Sequence, residues 1–115
     1  MQSTVKQKSS VQREESTHSS TQIIYHAPQN FPYLDKSGQI QQAQVGKKVV
    51  AKLNLHDPVK GSKTDGTAMP NLFTSLDTHY TGVGGWVRGH LLNHDLGGEA
   101  IIRNLFPITK SANGE

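Results

Sequence analysis

Four polar residues in the last third of the chain have the types that phosphodiester hydrolysis requires. They are Arg88 and His90, in the stretch GWVRGHLLNHDLGG, followed by Asn104 and Asn113. A histidine with an ordinary pKa of about 6.5 is largely neutral at pH 7 and can take a proton from water. A planar guanidinium pairs with phosphate oxygens, and an asparagine carbonyl oxygen can bind a hard, largely hydrated cation such as Mg²⁺. These residues predict a site that holds a phosphate and activates water beside it.

The order of these residues resembles a known family. RGH at 88–90, the Gly97-Gly98 pair, and N-L-x-P followed by a second asparagine nine residues after the first are similar to the ββα-metal superfamily of DNA/RNA non-specific endonucleases. The usual signature of that superfamily is Asp-Arg-Gly-His, then Asn-Met-x-Pro-Gln and a second Asn. The string GHLLNHDLGGEAIIRNLFPITKSAN is closer still to a bacterial subgroup, the C-terminal toxin domains of large delivered effectors. The resemblance is loose over 45–115 and strong over 85–113.

The resemblance implies a role for each of the four residues. His90 would be the general base, and Arg88 would bind the phosphate or stabilise the transition state. Asn104 would orient the site or the base. Asn113 would be the protein ligand of a single divalent ion, expected to be Mg²⁺ with Mn²⁺ as the alternative. The superfamily places these residues on two antiparallel strands and a helix that grips the metal.

The chain departs from the family pattern at two places. Val87 stands where the family often has Asp, so the supporting role of that acid is missing or is taken by another group. The chain ends at Glu115, where relatives usually carry a further His and Glu on the metal-binding helix. We therefore expect the chain to be a fragment of a longer domain.

Two residues after the RGH motif are weaker candidates for the site. His94 and Asp95 could contact the phosphate or the metal, although a solvated loop histidine is the simpler interpretation of the stretch NHDL. Asn93 is typical of a turn, because its short side chain bonds to nearby backbone. An alternative hypothesis takes His90, Asn93 and His94 as a compact HNH-like metal cluster. Gly97 and Gly98 predict a tight turn with positive φ.

Basic residues indicate where a polyanion would bind. The net charge is +3 and the pI is near 9.3, which permits such a partner without requiring one. Lys47, Lys48 and Arg103 are the predicted nucleic-acid contacts, and Lys52, Lys60 and Lys63 extend the same candidate groove. The competing interpretation of these lysines is an ordinary solvated face.

The hydrophobic pattern predicts a few short elements. Residues 23–25 predict a strand that Pro28 and Pro32 interrupt, and alternating apolar residues from Val49 to Leu55 predict a second strand that Asp57-Pro58 ends. The spacing of Met69, Leu72, Phe73 and Leu76 predicts a helix with a buried stripe. The segment 85–92, with Trp86 directed to the core, predicts a strand. Residues 93–109 predict a loop, and residues 111–115 the start of a helix.

Composition limits the architecture to one small domain. The chain has 115 residues, of which 33% are hydrophobic, and no cysteine, so disulfides and thiolate chemistry are excluded. Residues 1–21 are polar and are predicted to be a disordered leader or linker, and residues 22–115 to form an α+β domain of the small ββα-metal type. The sequence has no apolar run long enough for a membrane span and no secretory signal.

The sequence therefore predicts a metal-dependent nuclease acting on DNA, RNA or both. The family analogy implies a bacterial toxin or effector domain, delivered as part of a larger secreted or injected protein and neutralised by an immunity protein; without such delivery the chain would be cytoplasmic. The alternative is a catalytically inactive domain that binds nucleic acid or an immunity protein. The two differ in whether His90 takes part in cleavage.

Overall fold

Three antiparallel strand pairs and one α-helix make up the described part of the chain, which is an α+β arrangement. The computed structural model describes residues 20–64 and 66–114. Most of the predicted leader, residues 1–19, lies outside this range. The elements are β1 (Gln22–Tyr25), β2 (Gln29–Leu34), β3 (Ile40–Val45), β4 (Val49–Lys52), α1 (Pro70–His79), β5 (Trp86–His90) and β6 (Leu105–Thr109), with short 3₁₀ turns at Thr81–Val83, His94–Leu96 and Ile102–Asn104.

The first two strand pairs are nested. β1 pairs with β4, and the β2–β3 hairpin is the connection between them. The predicted strand at 23–25 is confirmed, and Pro28 lies in the break that follows it. The prediction that Pro32 interrupts a strand is wrong, since Pro32 lies inside β2 opposite Gln42. A proline is tolerated there because each strand of a two-stranded sheet is an edge strand, on which an N–H can be spared.

The strand predicted from Val49 to Leu55 is shorter than expected. β4 ends at Lys52, and Leu55 is 95% exposed. A turn follows, in which the Asp57 N–H donates to the Asn54 carbonyl. Thr21 holds this turn, since its N–H donates to Asp57 Oδ2 and its Oγ1 to the Asp57 carbonyl. In this turn, backbone groups bond to one another and to Thr21, whereas in a longer strand they would pair with a neighbouring strand.

The predicted helix is confirmed as α1, and its apolar stripe forms most of the core. Met69, Leu72, Phe73 and Leu76 are buried together with Val45 of β3 and Leu105 of β6. Pro70 occupies the first turn, where the missing N–H costs nothing. Half-buried residues of β2, β3 and β5 pack around the cluster, and these include the predicted core residue Trp86. The helix therefore joins the β2–β3 hairpin to the β5–β6 pair. None of the helices in the described residues has the length and apolar character that a bilayer span requires.

The last strand pair corrects the prediction for the C-terminal segment. β5 lies within the predicted strand at 85–92, but residues 105–109 form β6 rather than loop, and β6 pairs with β5 from Trp86–Thr109 to His90–Leu105. Leu105 is fully buried, which explains why this short, proline-containing segment is extended. Residues 110–114 form a turn in which the Asn113 N–H donates to the Thr109 carbonyl, in place of the predicted start of a helix.

The turn of the β2–β3 hairpin is organised by the carboxylate of Asp35. Its Oδ1 accepts from the Ser37 and Gln39 N–H groups, and its Oδ2 accepts from Gln41 Nε2 at 3.0 Å. These bonds, with that of Gln41 the most effective, lower the pKa of Asp35 below its ordinary value of 3.8. The charged carboxylate therefore stabilises the hairpin.

We expect Gln41→Ala to raise the pKa of Asp35 toward 3.8, as measured by an NMR titration of the carboxyl carbon. Because folding lowers this pKa, the stabilisation is present above the unfolded value and is lost as the pH falls through the folded value. The acid-dependent decrease in the free energy of unfolding should therefore be smaller in Gln41→Ala than in the wild type. Gln42→Ala is the control, and an equal pKa in all three proteins would contradict the assignment.

Candidate active site

β5 carries the predicted arginine and histidine on one face. Side chains alternate along a strand, so Trp86, Arg88 and His90 share a face, while Val87 and Gly89 lie on the other. A Cβ on Gly89 would lie 2.7 Å from Ile108 Cγ2 and would also contact the ring of Phe106. The glycine of the RGH motif therefore leaves space for β6 side chains behind the strand.

His90 is held by a bond that defines its tautomer. Its Nε2 lies 2.7 Å from the carbonyl oxygen of Ser62. A carbonyl oxygen can only accept, so Nε2 is the donor, and in the neutral imidazole the lone pair is on Nδ1. The ring is half-buried, and that of His94 lies edge-on with 6.0 Å between the two centroids. Nδ1 is therefore the atom of His90 that can act as a base.

The carbonyl that fixes His90 is itself fixed by the loop after β5. The Ser62 N–H donates to the Gly98 carbonyl, and the Ser62 Oγ accepts from the Ala100 N–H at 2.8 Å. Gly61 donates its N–H to the His94 carbonyl, and a Cβ on Gly61 would lie only 2.0 Å from the Gly98 oxygen. Ser62 was not predicted as a site residue, because a role played by a main-chain carbonyl has no side-chain signature in the sequence.

Asn104 acts as a clamp inside the loop. It is fully buried; its Oδ1 accepts from the Leu92 N–H at 2.8 Å, and its Nδ2 donates to the carbonyls of Leu92 at 3.0 Å and Glu99 at 2.9 Å. Both amide atoms are thus occupied by the backbone. Asn104 therefore shapes the loop after β5, and its side-chain oxygen accepts from a peptide N–H; its role in a reaction stays a prediction.

Glycine is required at positions 97 and 98 of the loop for two different reasons. Gly97 has a φ of 104°, as the predicted turn requires. Gly98 does not have the predicted positive φ; glycine is needed there for space, because a Cβ would lie 1.7 Å from the Leu92 carbonyl oxygen and 2.8 Å from Asn104 Nδ2. A side chain at position 98 would therefore open the clamp.

Arg88 is anchored on the helix. Its Nε donates to the Ala68 carbonyl, and its guanidinium lies 3.9 Å from the centroid of the Phe73 ring. Such a cation–π contact restrains the side chain and leaves it charged. The guanidinium is thus held between α1 and the face of β5 that carries His90. Its contact with a phosphate remains a prediction.

The weaker candidates lie beside His90 but do not form a metal cluster. His94 Nε2 is 3.2 Å from Asp95 Oδ1, and Asn93 Oδ1 accepts from the Asp95 N–H at 2.7 Å. Asn93 thus has the turn role predicted for it. Within residues 20–64 and 66–114, no group of three or more His, Cys, Asp or Glu side chains could hold a metal ion. Of the proposed HNH-like cluster, the structure brings two histidines together, His90 and His94. Nε2 of His90 is already bonded to the Ser62 carbonyl.

Asn113 lies at the other end of the β5–β6 pair. His90 is opposite Leu105, whereas Asn113 follows Thr109, which is opposite Trp86. The two ends are separated by roughly 13 Å, since a strand rises about 3.3 Å per residue. The sheet alone does not bring the predicted metal ligand to the predicted base.

The predicted basic residues converge on the end of the sheet that holds His90. Gly46 donates its N–H to the Leu105 carbonyl at 2.6 Å, and its Cβ position lies 2.8 Å from the Arg103 oxygen. Lys47 and Lys48 follow Gly46 and are exposed. The three predicted nucleic-acid contacts therefore come from two segments that meet next to Leu105, the partner of His90 in the ladder.

Comparisons of the chain with protein-family models, with curated proteins and with solved structures give no match. The assignment of a function to this site therefore rests on its residues and their geometry.

We expect Asn104→Ala to lower the free energy of unfolding by about 2–4 kcal/mol, because several buried backbone groups lose their partner at about 1–3 kcal/mol each. Chemical denaturation would measure this. Asn93→Ala, which removes one exposed bond, is the matched control and should cost about 1 kcal/mol or less. An equal loss in the two variants would show that Asn104 is not a clamp.

Proposed function

We propose that this chain is a metal-dependent nuclease domain that hydrolyses phosphodiester bonds of DNA, RNA or both with little sequence preference. The observation that carries the proposal is the bond from His90 Nε2 to the Ser62 carbonyl. In the neutral imidazole this bond places the lone pair on Nδ1, and the same strand also presents Arg88. A fixed base next to a fixed cation is the minimal arrangement for activating water beside a phosphate.

In the proposed reaction, His90 Nδ1 takes a proton from a water molecule as the water oxygen attacks phosphorus. The new phosphorus–oxygen bond forms as the bond to the departing sugar oxygen breaks in line with it, and the departing oxygen takes a proton from solvent. His90 then carries a positive charge, and its Nε2–H bond to the Ser62 carbonyl becomes charge-assisted and stronger. Ser62 would therefore stabilise the protonated base as well as orient it.

Arg88 would neutralise charge on the phosphate. Its Nε and the face of its guanidinium contact the protein, so the position of the group is set before a substrate arrives. Electrostatic groups fixed in advance cost no reorganisation during the reaction. The basic residues Lys47, Lys48 and Arg103, near the His90 end of the sheet, would hold the flanking backbone.

The proposal includes a divalent ion because the side chain of Asn113 is of a type that binds one. The Asn113 side chain is exposed, and an amide oxygen is a suitable ligand for Mg²⁺ or Mn²⁺, which keep most of their waters and need few protein ligands. An ion held there would supply positive charge to phosphate oxygens, and its contact with the phosphate beside His90 is part of the proposal, because the strand ladder places Asn113 at the Trp86 end of the pair. Asn104 takes no part in binding it, because both of its amide atoms are bonded to the backbone.

We further propose, on the resemblance of residues 85–113 alone, that the domain serves as a bacterial toxin or effector delivered within a larger protein. An immunity protein would then be its partner in the producing cell. A small open reading frame next to the gene, whose product binds this chain and suppresses its toxicity, is the expected finding. Equal toxicity with and without that product would argue against the role.

The decisive experiment is cleavage of plasmid DNA and total RNA by the chain with Mg²⁺, Mn²⁺ or EDTA. His90→Ala should lower the rate by about 10²- to 10⁴-fold, the usual contribution of a general base, with nucleic-acid binding retained. His79→Ala, a change at an exposed histidine outside the site, is the matched control and should cleave like the wild type. EDTA should abolish cleavage, and circular dichroism should confirm that both variants fold.

Three outcomes would change the assignment. Full cleavage by His90→Ala would remove the general base from the proposal. Abolished cleavage in His94→Ala, which should only weaken the proposed enzyme, would favour the HNH-like cluster. Salt-sensitive binding without cleavage under any metal would favour the binding-only function, for which the distance of Asn113 from His90 in the sheet is the supporting observation.

We expect the double change Lys47→Gln and Lys48→Gln to weaken DNA binding and to reduce its salt dependence. Each lost phosphate contact should make the slope of log K against log salt less steep by about 0.9. Fluorescence anisotropy at several salt concentrations would measure both effects. Lys36→Gln, in the turn at the opposite end of the β2–β3 hairpin from Lys47, is the control; an unchanged slope in the double variant would place the contacts elsewhere.

A further inference from the structure

A concave site lies away from His90, between the β2–β3 hairpin and α1. It has a volume of about 550 Å³, which is within the usual range of small-molecule pockets. Tyr33 and Gln41 line it from the hairpin, and Asn71, Thr74, Ser75 and Thr78 line it from the helix. None of the residues of the candidate active site lines this pocket.

The buried hydroxyl of Ser75 is the unusual feature of the pocket. Ser75 is 5% exposed, and its Oγ has no hydrogen-bond partner in the described part of the chain. A helical serine or threonine usually satisfies its hydroxyl with the carbonyl four residues before it, as Thr78 does with Thr74 at 2.7 Å. Ser75 does not, although it lies among the core residues of α1. A buried hydroxyl left unpaired is costly, so a ligand that pairs with it would be favoured.

The pocket offers little net charge to a ligand. Its acid, Asp35, already accepts three hydrogen bonds from Ser37, Gln39 and Gln41 within the hairpin turn. Lys36 and His79 are also part of the lining, and the charge of Lys36 offsets that of Asp35. Most of the remaining polar side chains are hydroxyls and amides, which both donate and accept. This lining suits a neutral ligand with many hydroxyl groups better than a phosphate or a carboxylate.

We propose that this pocket binds a neutral saccharide. The hydroxyls and amides of the lining match the alternating donor and acceptor character of sugar hydroxyls, and Ser75 Oγ provides a buried partner for one of them. Tyr33 is half-buried, packs on the core and lines the pocket, so it provides an ordered aromatic surface for the apolar face of a sugar ring. The site is independent of the proposed nuclease activity.

The test is an NMR titration of the ¹⁵N-labelled chain with glucose and with N-acetylglucosamine at millimolar concentrations. Saturable shifts of the amide signals of Tyr33, Asn71 and Ser75 are expected. Ser75→Ala should weaken the affinity roughly tenfold, the loss expected for a buried hydrogen bond. Its melting temperature without sugar should equal or exceed that of the wild type, because the variant removes an unpaired hydroxyl. Asp77→Asn, on the same helix outside the pocket, should bind normally.

Asn71→Ala, at the exposed rim, gives a second variant that should weaken binding without affecting the core. The proposal is overturned if neither sugar gives saturable shifts, if Ser75→Ala binds as tightly as the wild type, or if inorganic phosphate or a nucleoside monophosphate produces the same shifts as the sugars. Ser75→Ala should retain any cleavage that the wild type shows. The titration is therefore informative whether or not the chain is a nuclease.

Discussion

The arrangement of the candidate site depends on one buried amide, that of Asn104. Its three bonds to Leu92 and Glu99 hold the two ends of the loop between β5 and β6 together. The loop, held in this way, presents the carbonyls of His94 and Gly98 to Gly61 and Ser62. Ser62 in turn orients the ring of His90. The position of the proposed base is thus set by a sequence of backbone hydrogen bonds that begins at a side chain 14 residues further along the chain.

The loop between β5 and β6 is held by neutral groups, whereas many sites are held by ion pairs. Hydrogen bonds from a buried amide to the backbone are insensitive to salt and do not titrate near neutral pH, so the loop keeps its shape as salt and pH change around neutrality. The packing around the loop also leaves no space for a side chain at two positions, because Gly98 and Gly61 each approach a carbonyl more closely than any Cβ would allow. The glycines and the asparagine are therefore parts of one packed unit.

The elements that the sequence could predict are those with a clear apolar pattern. The stripe of α1 shows the face that the helix buries, whereas the apolar residues of β1 and β5 indicate strands without marking the buried face, since Ile24 is 58% exposed. β3 was not predicted because the run IQQAQV buries only Val45, and β6 was not predicted because Pro107 and its shortness resemble a loop. The candidate site shows the same division: His90, Arg88 and Asn104 are predicted from their types and order, whereas Ser62 contributes through its backbone carbonyl. A peptide carbonyl is common to every residue, so only the fold could identify this one.

The helix α1 explains how a domain this small can carry two separate surfaces, the candidate active site and the pocket beside the hairpin. It has only ten residues, too few to be stable alone in water, so it depends on packing at both sides. Phe73 lies under the guanidinium of Arg88, and Ser75, two residues and about 200° further around the helix, lies on the hairpin side and lines the pocket. Leu72 and Leu76 fill the core between the two. Because neighbouring positions of one short helix support different surfaces, each surface can change its polar residues without disturbing the other, provided that the apolar residues between them are kept.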